Sequence, residues 1–386
     1  ELNLGDTDEG FDLFVAHNSN TLNLDSQGSE NWLSDGYFGG TLSHLNITGD
    51  AALYIEGDLD ASFHDTNSAT INASENTGGV NLNISDQRIL EFVGSQGNDT
   101  FITLGSIDVK IEASVGNNTI TTTDSTSVSI TTGEGDDAIV SVDNVDLLIH
   151  AGAGNNTIVA SAEKVNIVTG AGNDHITLSS VEKELGDATD IVDLNVELGS
   201  GDNVILLGTD NDVATEGDLS PTKTLNGLTA LTGSVISGEN IALVVNQDSD
   251  IHQAALTGVT SVNLSGGDLV LSAAQVTALG SAAFSVEGAA YNQTANLIVV
   301  VNEDLTLSDL LDLTALESSI KLAFDIKDGA TLTLTAEELH TYVAIDGINV
   351  DDANGYIDNQ VVITDAVQVV DGGQVNDRMA AVDSDA

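Results

Sequence analysis

Cysteine is absent from this 386-residue chain. That excludes disulfide staples and thiolate metal sites. It does not exclude secretion, because a hard cation can take the place of a disulfide in an extracellular module. Proline occurs once, at Pro221, and the 38 glycines show no three-residue period, so a collagen-like fibre is excluded. Aromatic residues make up 4 % with a single Trp, which argues against an aromatic-rich binding module. Basic residues are the most conspicuous shortage. Eight Lys and Arg face 61 Asp and Glu, for a net charge of −53. Such a chain binds neither nucleic acid nor an anionic membrane through its own charge. Its self-repulsion has to be offset by salt or by bound cations. No apolar run approaches the ~20 residues of a transmembrane helix. No signal peptide opens the sequence at Glu1, and a first residue other than Met reads as a processed form or a piece of a larger protein.

What is present is a repeat. One phrase recurs as Gly97-Asn98-Asp99, Gly116-Asn117-Asn118, Gly135-Asp136-Asp137, Gly154-Asn155-Asn156, Gly172-Asn173-Asp174 and Gly201-Asp202-Asn203. The first five glycines are 19, 19, 19 and 18 residues apart, and the last gap is 29, as if an excursion had been inserted near Glu182 to Ile191. A fixed period of this length signals stacked structural units. Before each phrase lies an alternating run such as Val109-Lys110-Ile111, Val128-Ser129-Ile130 or Val165-Asn166-Ile167; after it comes an apolar residue, from Phe101 to Ile205. Alternation is strand periodicity, and Gly followed by Asn or Asp is turn chemistry. Each unit is therefore strand, turn, strand, turn. Stacked at about 4.8 Å per coil, the units predict an all-β fold: a parallel β-solenoid, a β-roll or β-helix, with about 19 residues per coil. Ile111, Ile130, Ile149, Ile167 and Val196 form one inward column. Val109, Val128, Leu147, Val165 and Leu194 form a second, and the residues after the turns form a third. No coil buries its own apolar face, so several must stack before any is stable.

Gly170-Ala171-Gly172-Asn173-Asp174-His175-Ile176 resembles the calcium-binding nonapeptide of RTX proteins, and Gly133 to Ile139 and Gly94 to Phe101 are similar to it. The resemblance covers about a third of the chain. It implies an extracellular β-roll loaded with Ca²⁺, often exported by type I secretion. RTX repeats carry the motif at both turns of a coil, whereas here one turn has it and the other reads Asp124-Ser125-Thr126, Asp143-Asn144 or Ala162-Glu163-Lys164. The aspartate position also alternates between Asp and Asn. At most one row of calcium ligands is expected: Asp99, Asn118, Asp136, Asp137, Asn156, Asp174, Asp202 and Asn203, on one edge of the solenoid. The alternative at these positions is a metal-free ladder in which Asn and Asp cap their own turns.

Taken in order, residues 1–93 read as an irregular N-terminal solenoid or cap, carrying most of the aromatic residues. These are expected to form the core of an end cap, with a sugar-binding patch at Trp32, Tyr37 and Phe38 as the alternative. Residues 94–207 are the regular solenoid and 208–224 an acidic linker. Residues 225–365 form a C-terminal β-rich region with short helices. There a strand leads into Ser272 to Gln275, Ser308 to Leu311 and Thr335 to Glu338, the first and third being capping boxes. Residues 366–386 are an acidic tail.

No catalytic constellation stands out. The seven histidines share no ligand-like spacing, and paired carboxylates mean little among 61. A polysaccharide-active β-helix enzyme would need Arg or Lys in its cleft, and basic residues are scarce. The chain is expected not to be an enzyme. The expected function is a structural protein of the extracellular space or cell surface: a calcium-stabilised building block of an S-layer, matrix or filament. Its partners would be further copies of itself, and cell-surface glycan or lipopolysaccharide bridged by divalent cations. The alternative is the stalk or ligand-binding segment of a large RTX-type adhesin.

Overall fold

The computed structural model describes residues 2–5, 11–14, 20–37, 41–59, 68–179, 191–208, 228–286, 295–327, 329–350 and 360–364. The chain is all-β. Mostly parallel strands stack as β-solenoid turns, about 13 in all and about 21 residues each, with a few short helices. It divides into two compact units, Glu1–Val204 with Val235–Asn240, and Ile205–Ser234 with Ile241–Ala386.

In the first unit the register follows the sequence period. Thr100 pairs with Thr119, Thr119 with Ala138, and Ala138 with Thr157, in steps of 19; His175 follows after 18. The N-terminal coils are longer. Thr21 pairs with His44 and His44 with Thr70, steps of 23 and 26, which lifts the average above the 19 of the regular stretch. All three inward columns are buried, Ile111, Ile130, Ile149 and Ile167 completely. Each isoleucine lies directly over the next, as Ile130 on Ile149 and Ile149 on Ile167. Where the columns run towards the N-terminus, Phe92 stacks on Phe101 at 4.3 Å.

The two corners of a coil are built differently. At the Gly-Asn/Asp corner the coils approach so closely that a side chain cannot be added. Gly154 has φ +131°, and a Cβ there would lie 2.0 Å from the Gly135 carbonyl oxygen. The opposite corner is a bend within a continuous ladder. Strands Ala138–Ala151 and Thr157–Thr169 pair along both arms, with a register shift between Ser141 and Asn144. Asp86, Gly105, Asp124 and Asp143 occupy that bend with φ between +53° and +68°. The short polar side chain of Asp tolerates the left-handed conformation, so it substitutes there for Gly. The expected excursion at Glu182 to Ile191 lies almost wholly outside the described residues, but its flanks keep register, Lys164 pairing with Asp193.

In the second unit parallel strands continue through Leu269–Ser272, Ala295–Val301, Ile320–Ile326 and Val343–Val350. Leu305–Thr306, Thr331–Leu334 and Gln360–Ile363 form a separate small sheet. Three short helices follow strands: Ala273–Leu279, Leu307–Leu310 and Ala336–Tyr342. Both capping boxes are formed, Ser272 with Gln275 and Thr335 with Glu338. These reciprocal bonds satisfy helix N–H groups that a seven-residue helix would otherwise leave open. Of the acidic linker only Gly208 is described, and the 366–386 tail lies outside the described residues.

Candidate functional site

The Gly-Asn/Asp corner carries two hydrogen-bond ladders. The inner one joins Asp99, Asn118, Asp137, Asn156, Asp174 and Asn203, all 1–2 % exposed. Each residue's backbone N–H donates to the side-chain Oδ1 of its counterpart in the next coil: Asp99 to Asn118, Asn118 to Asp137, Asp137 to Asn156, Asn156 to Asp174, Asp174 to Asn203. These bonds are 2.9–3.2 Å long. Every second rung is doubled, because the Asn118 and Asn156 amides donate from Nδ2 to the same Oδ1 of Asp137 and Asp174, at 3.0 Å. The Asn amides also bind turn carbonyls of their own coil, Asn118 to Gly116 at 2.9 Å and Asn156 to Gly154 at 3.2 Å.

The outer ladder is one residue earlier and exposed. It joins Asn98, Asn117, Asp136, Asn155, Asn173 and Asp202, and runs with opposite polarity. Here the later coil donates: Asn117 N–H to Asn98 Oδ1, Asp136 to Asn117, Asn155 to Asp136, Asn173 to Asn155, Asp202 to Asn173. Asn240 continues it by donating to Asp202 Oδ1. The eight residues expected on one edge are thus on one edge, but in two rows. Asp136 and Asp202 are in the solvated row, and the other six in the buried one.

Alternation along the inner row settles its electrostatics. An Asn between two Asp keeps carboxylates two coils apart, about 9.6 Å at the usual strand spacing. It also supplies an amide donor to the buried carboxylate below it. The second carboxylate oxygen, Oδ2, is buried without a hydrogen-bond partner in both Asp137 and Asp174. Five residues before Asp137 and Asp174 stand Thr132 and Thr169, both buried; five before Asn118 and Asn156 stand Ala113 and Ala151. The Thr132 hydroxyl lies near enough to Asp137 to lower its pKa, although Oγ1 and Asp137 Oδ2 are not in hydrogen-bond geometry. Burial outweighs it and pushes the Asp137 carboxyl above its usual value. Asp99 is also raised by burial, against donation from Ser95 and Val80. Ser95 gives Asp99 both its hydroxyl, at 2.6 Å, and its backbone N–H, at 2.8 Å.

Calcium, implied by the resemblance, was tested against this geometry. The groups around the inner carboxylates are N–H, amide and hydroxyl donors, and they leave Oδ2 of Asp137 and of Asp174 buried without a hydrogen-bond partner. Turn carbonyls at the Asn coils are already taken by amides. Among the described residues no group of three or more His, Asp or Glu side chains is arranged to hold a metal ion. The corner is built as an internal hydrogen-bond ladder in which one buried carboxylate oxygen of Asp137 and one of Asp174 stay open.

Sequence reasoning missed the outer row and the two threonines. The signal for both was recurrence at the repeat period, with Thr132 and Thr169 before Asp137 and Asp174 and Ala113 and Ala151 before Asn118 and Asn156. In the N-terminal region Trp32 stacks on Tyr54 at 4.1 Å and 7°, while Phe38 lies outside the described residues. A short third ladder occurs in the second unit. Asp268 N–H donates to Asp248, and Asn296 donates to both oxygens of Asp268. No protein-family model matches the chain, and neither a curated protein nor a solved structure matches it.

Proposed function

We propose that the chain is a structural protein of the cell surface or extracellular space, a building block that assembles with copies of itself. The observation that supports this most is the use made of the polar corner: its repeat period serves coil-to-coil bonding through two hydrogen-bond ladders. Exposed apolar side chains of the first unit near the Asp86–Asp143 bend, Ile89, Leu104, Ile107 and Val145, would contribute to a contact with a second copy. Electron microscopy of the purified chain with and without calcium tests the assembly. Ordered arrays or filaments are expected in calcium; dispersed particles in both conditions would favour an adhesin segment instead.

Cations act in this proposal as counterions to a surface of net charge −53. Anything that binds the native state preferentially raises its stability. The expected outcome is a melting temperature that rises with Ca²⁺ and with Mg²⁺ to a similar extent at matched ionic strength. A rise confined to Ca²⁺ would point to a dedicated site and overturn the counterion role. Thermal unfolding followed by far-ultraviolet circular dichroism makes the measurement.

A further inference from the structure

The first unit has two broad sheet faces, and they carry different chemistry. One is built from Asp108–Ser114, Ser127–Thr132 and the C-terminal arms of the long strands Ala138–Ala151 and Thr157–Thr169. Its outward positions are mixed in charge and include Asp108, Lys110, Glu112, Asp146 and Lys164. The other is built from Val80–Asn83, Thr100–Leu104, Thr119–Thr123, the N-terminal arms of the same long strands and His175–Ser179. It runs over six coils, from Asn81 through Thr100, Thr119, Ala138 and Thr157 to His175, with the register unbroken. None of its outward positions is Asp, Glu, Lys or Arg. In a chain with 61 acidic residues among 386, that sets this face apart. Ile102, Thr121, Val140 and Val159 form its second column, with Ile102 39 % exposed. Carboxylates stand only at its rims: Asp136 at the Gly-Asn/Asp corner, and Asp124 and Asp143 at the bend.

We propose that this face is where a second copy of the chain docks, face to face about a two-fold axis. The proposal rests on the assembly reading above and names the surface. Charge selects the occupant. Two chains of net charge −53 repel, and their approach costs least where neither presents a carboxylate. Protein interfaces are marked by loss of charged residues at the core within a polar rim, and this face has both. A two-fold contact sets one patch against itself. Columns of Thr and branched apolar side chains repeated at about 4.8 Å interdigitate with their copies as packed sheets do, about 10 Å apart. By strand spacing, six coils span about 29 Å and a five-residue strand about 17 Å, so the face offers roughly 480 Å² per copy. A standard interface takes about 800 Å² per partner. The pair is therefore weak by itself, as suits one contact among several in an assembly.

Sedimentation velocity of the whole chain from about 10 to 500 μM covers the micromolar and weaker affinities open to so small a contact. A monomer–dimer equilibrium is expected. It should be unchanged by EDTA and should tighten as salt rises, because screening weakens the remaining repulsion. Thr119→Glu/Thr157→Glu should weaken dimerisation roughly tenfold or more, the equivalent of about 1.4 kcal/mol. The control Ser127→Glu/Thr131→Glu adds the same charge at exposed positions of the opposite face and should leave the dimer intact. Circular dichroism melts confirm that each variant is folded. Monomer at every concentration, equal weakening in the two double variants, or a dimer lost in EDTA would each overturn the proposal. So would a monomeric parent retained on microcrystalline cellulose when Thr119→Glu/Thr157→Glu is not, which would assign the face to a neutral glycan. Arrays that survive Thr119→Glu/Thr157→Glu would leave the assembly reading standing and remove this face from it. A dimer that never forms arrays would do the reverse.

Discussion

Ile149→Asp is expected to abolish the cooperative fold of the first unit. Ile149 is completely buried, in register with Ile130 in one neighbouring coil and Ile167 in the other. A carboxylate there would have only isoleucine columns around it and no donor within reach of the alternating pattern. Burying an unpaired charge belongs to the few mechanisms that cost more than about 4–5 kcal/mol, against a total stability of about 5–15 kcal/mol for a typical domain. Because coils are stable only when stacked, the loss is not confined to one turn. The control is Ile149→Val, which removes one methylene and should cost about 0.5–1.5 kcal/mol. Far-ultraviolet circular dichroism against temperature distinguishes them: a sigmoidal transition for the valine variant and none for the aspartate variant. A melting curve for Ile149→Asp that overlays the parent would mean that the register of the column is wrong.

Much of the first unit was legible because its sequence repeats at the period of its structure. An alternating run at one spacing fixes which face of each strand is inward, and a 19-residue step fixes what lies above what. Ile130, Ile149 and Ile167 could therefore be aligned in three dimensions by counting. The capping boxes at Ser272 and Thr335 were legible for a different reason: they are local, and their partners stand three residues away. What counting did not separate was the two polar rows. Asp136 and Asp137 are adjacent in sequence, and in extended backbone adjacent side chains point to opposite sides. One therefore joins a solvated ladder and the other a buried one. Read as one acidic edge, they placed carboxylates close enough to repel, which favoured a cation there over the metal-free ladder. Once Asp136 and Asp202 are assigned to the outer row, the inner row alternates strictly from Asp99 to Asn203. The longer coils of the N-terminal region were harder to read. Steps of 23 and 26 between His44 and its neighbours share no common period, so no column could be aligned by counting.

Asn156→Asp should be the most disruptive isosteric change at the ladder, and its mirror Asp137→Asn a stabilising one. The two N–H groups of the Asn156 amide are shared among three acceptors, Asp174 Oδ1 and the Gly152 and Gly154 carbonyls, at 3.0–3.3 Å. An aspartate loses all three and faces those carbonyls with a second oxygen. It also places a buried carboxylate one coil from Asp137 and one coil from Asp174. At about 4.8 Å, two unit charges repel by roughly 3–4 kcal/mol in an effective dielectric of 20, so a loss of at least 3 kcal/mol is expected at neutral pH. Lowering the pH should recover part of it, since protonating the middle carboxyl removes both repulsions. Asp137→Asn works in the other direction. Burial raises the Asp137 pKa, so the folded chain holds that proton more tightly than the unfolded chain does. Its contribution to stability is therefore full below the unfolded carboxylate value of about 4 and is lost as pH rises through the raised folded value. An asparagine at 137 keeps Oδ1 as acceptor for Asn118 and can donate to Thr132 and to its turn carbonyls, as Asn156 does. That variant should melt above the parent at pH 7, with the difference shrinking towards pH 4. Melting curves of the three proteins across this pH range, repeated with and without calcium, decide the matter. If Asn156→Asp instead gains stability in calcium beyond the parent, the corner binds the cation and the ladder is not self-sufficient.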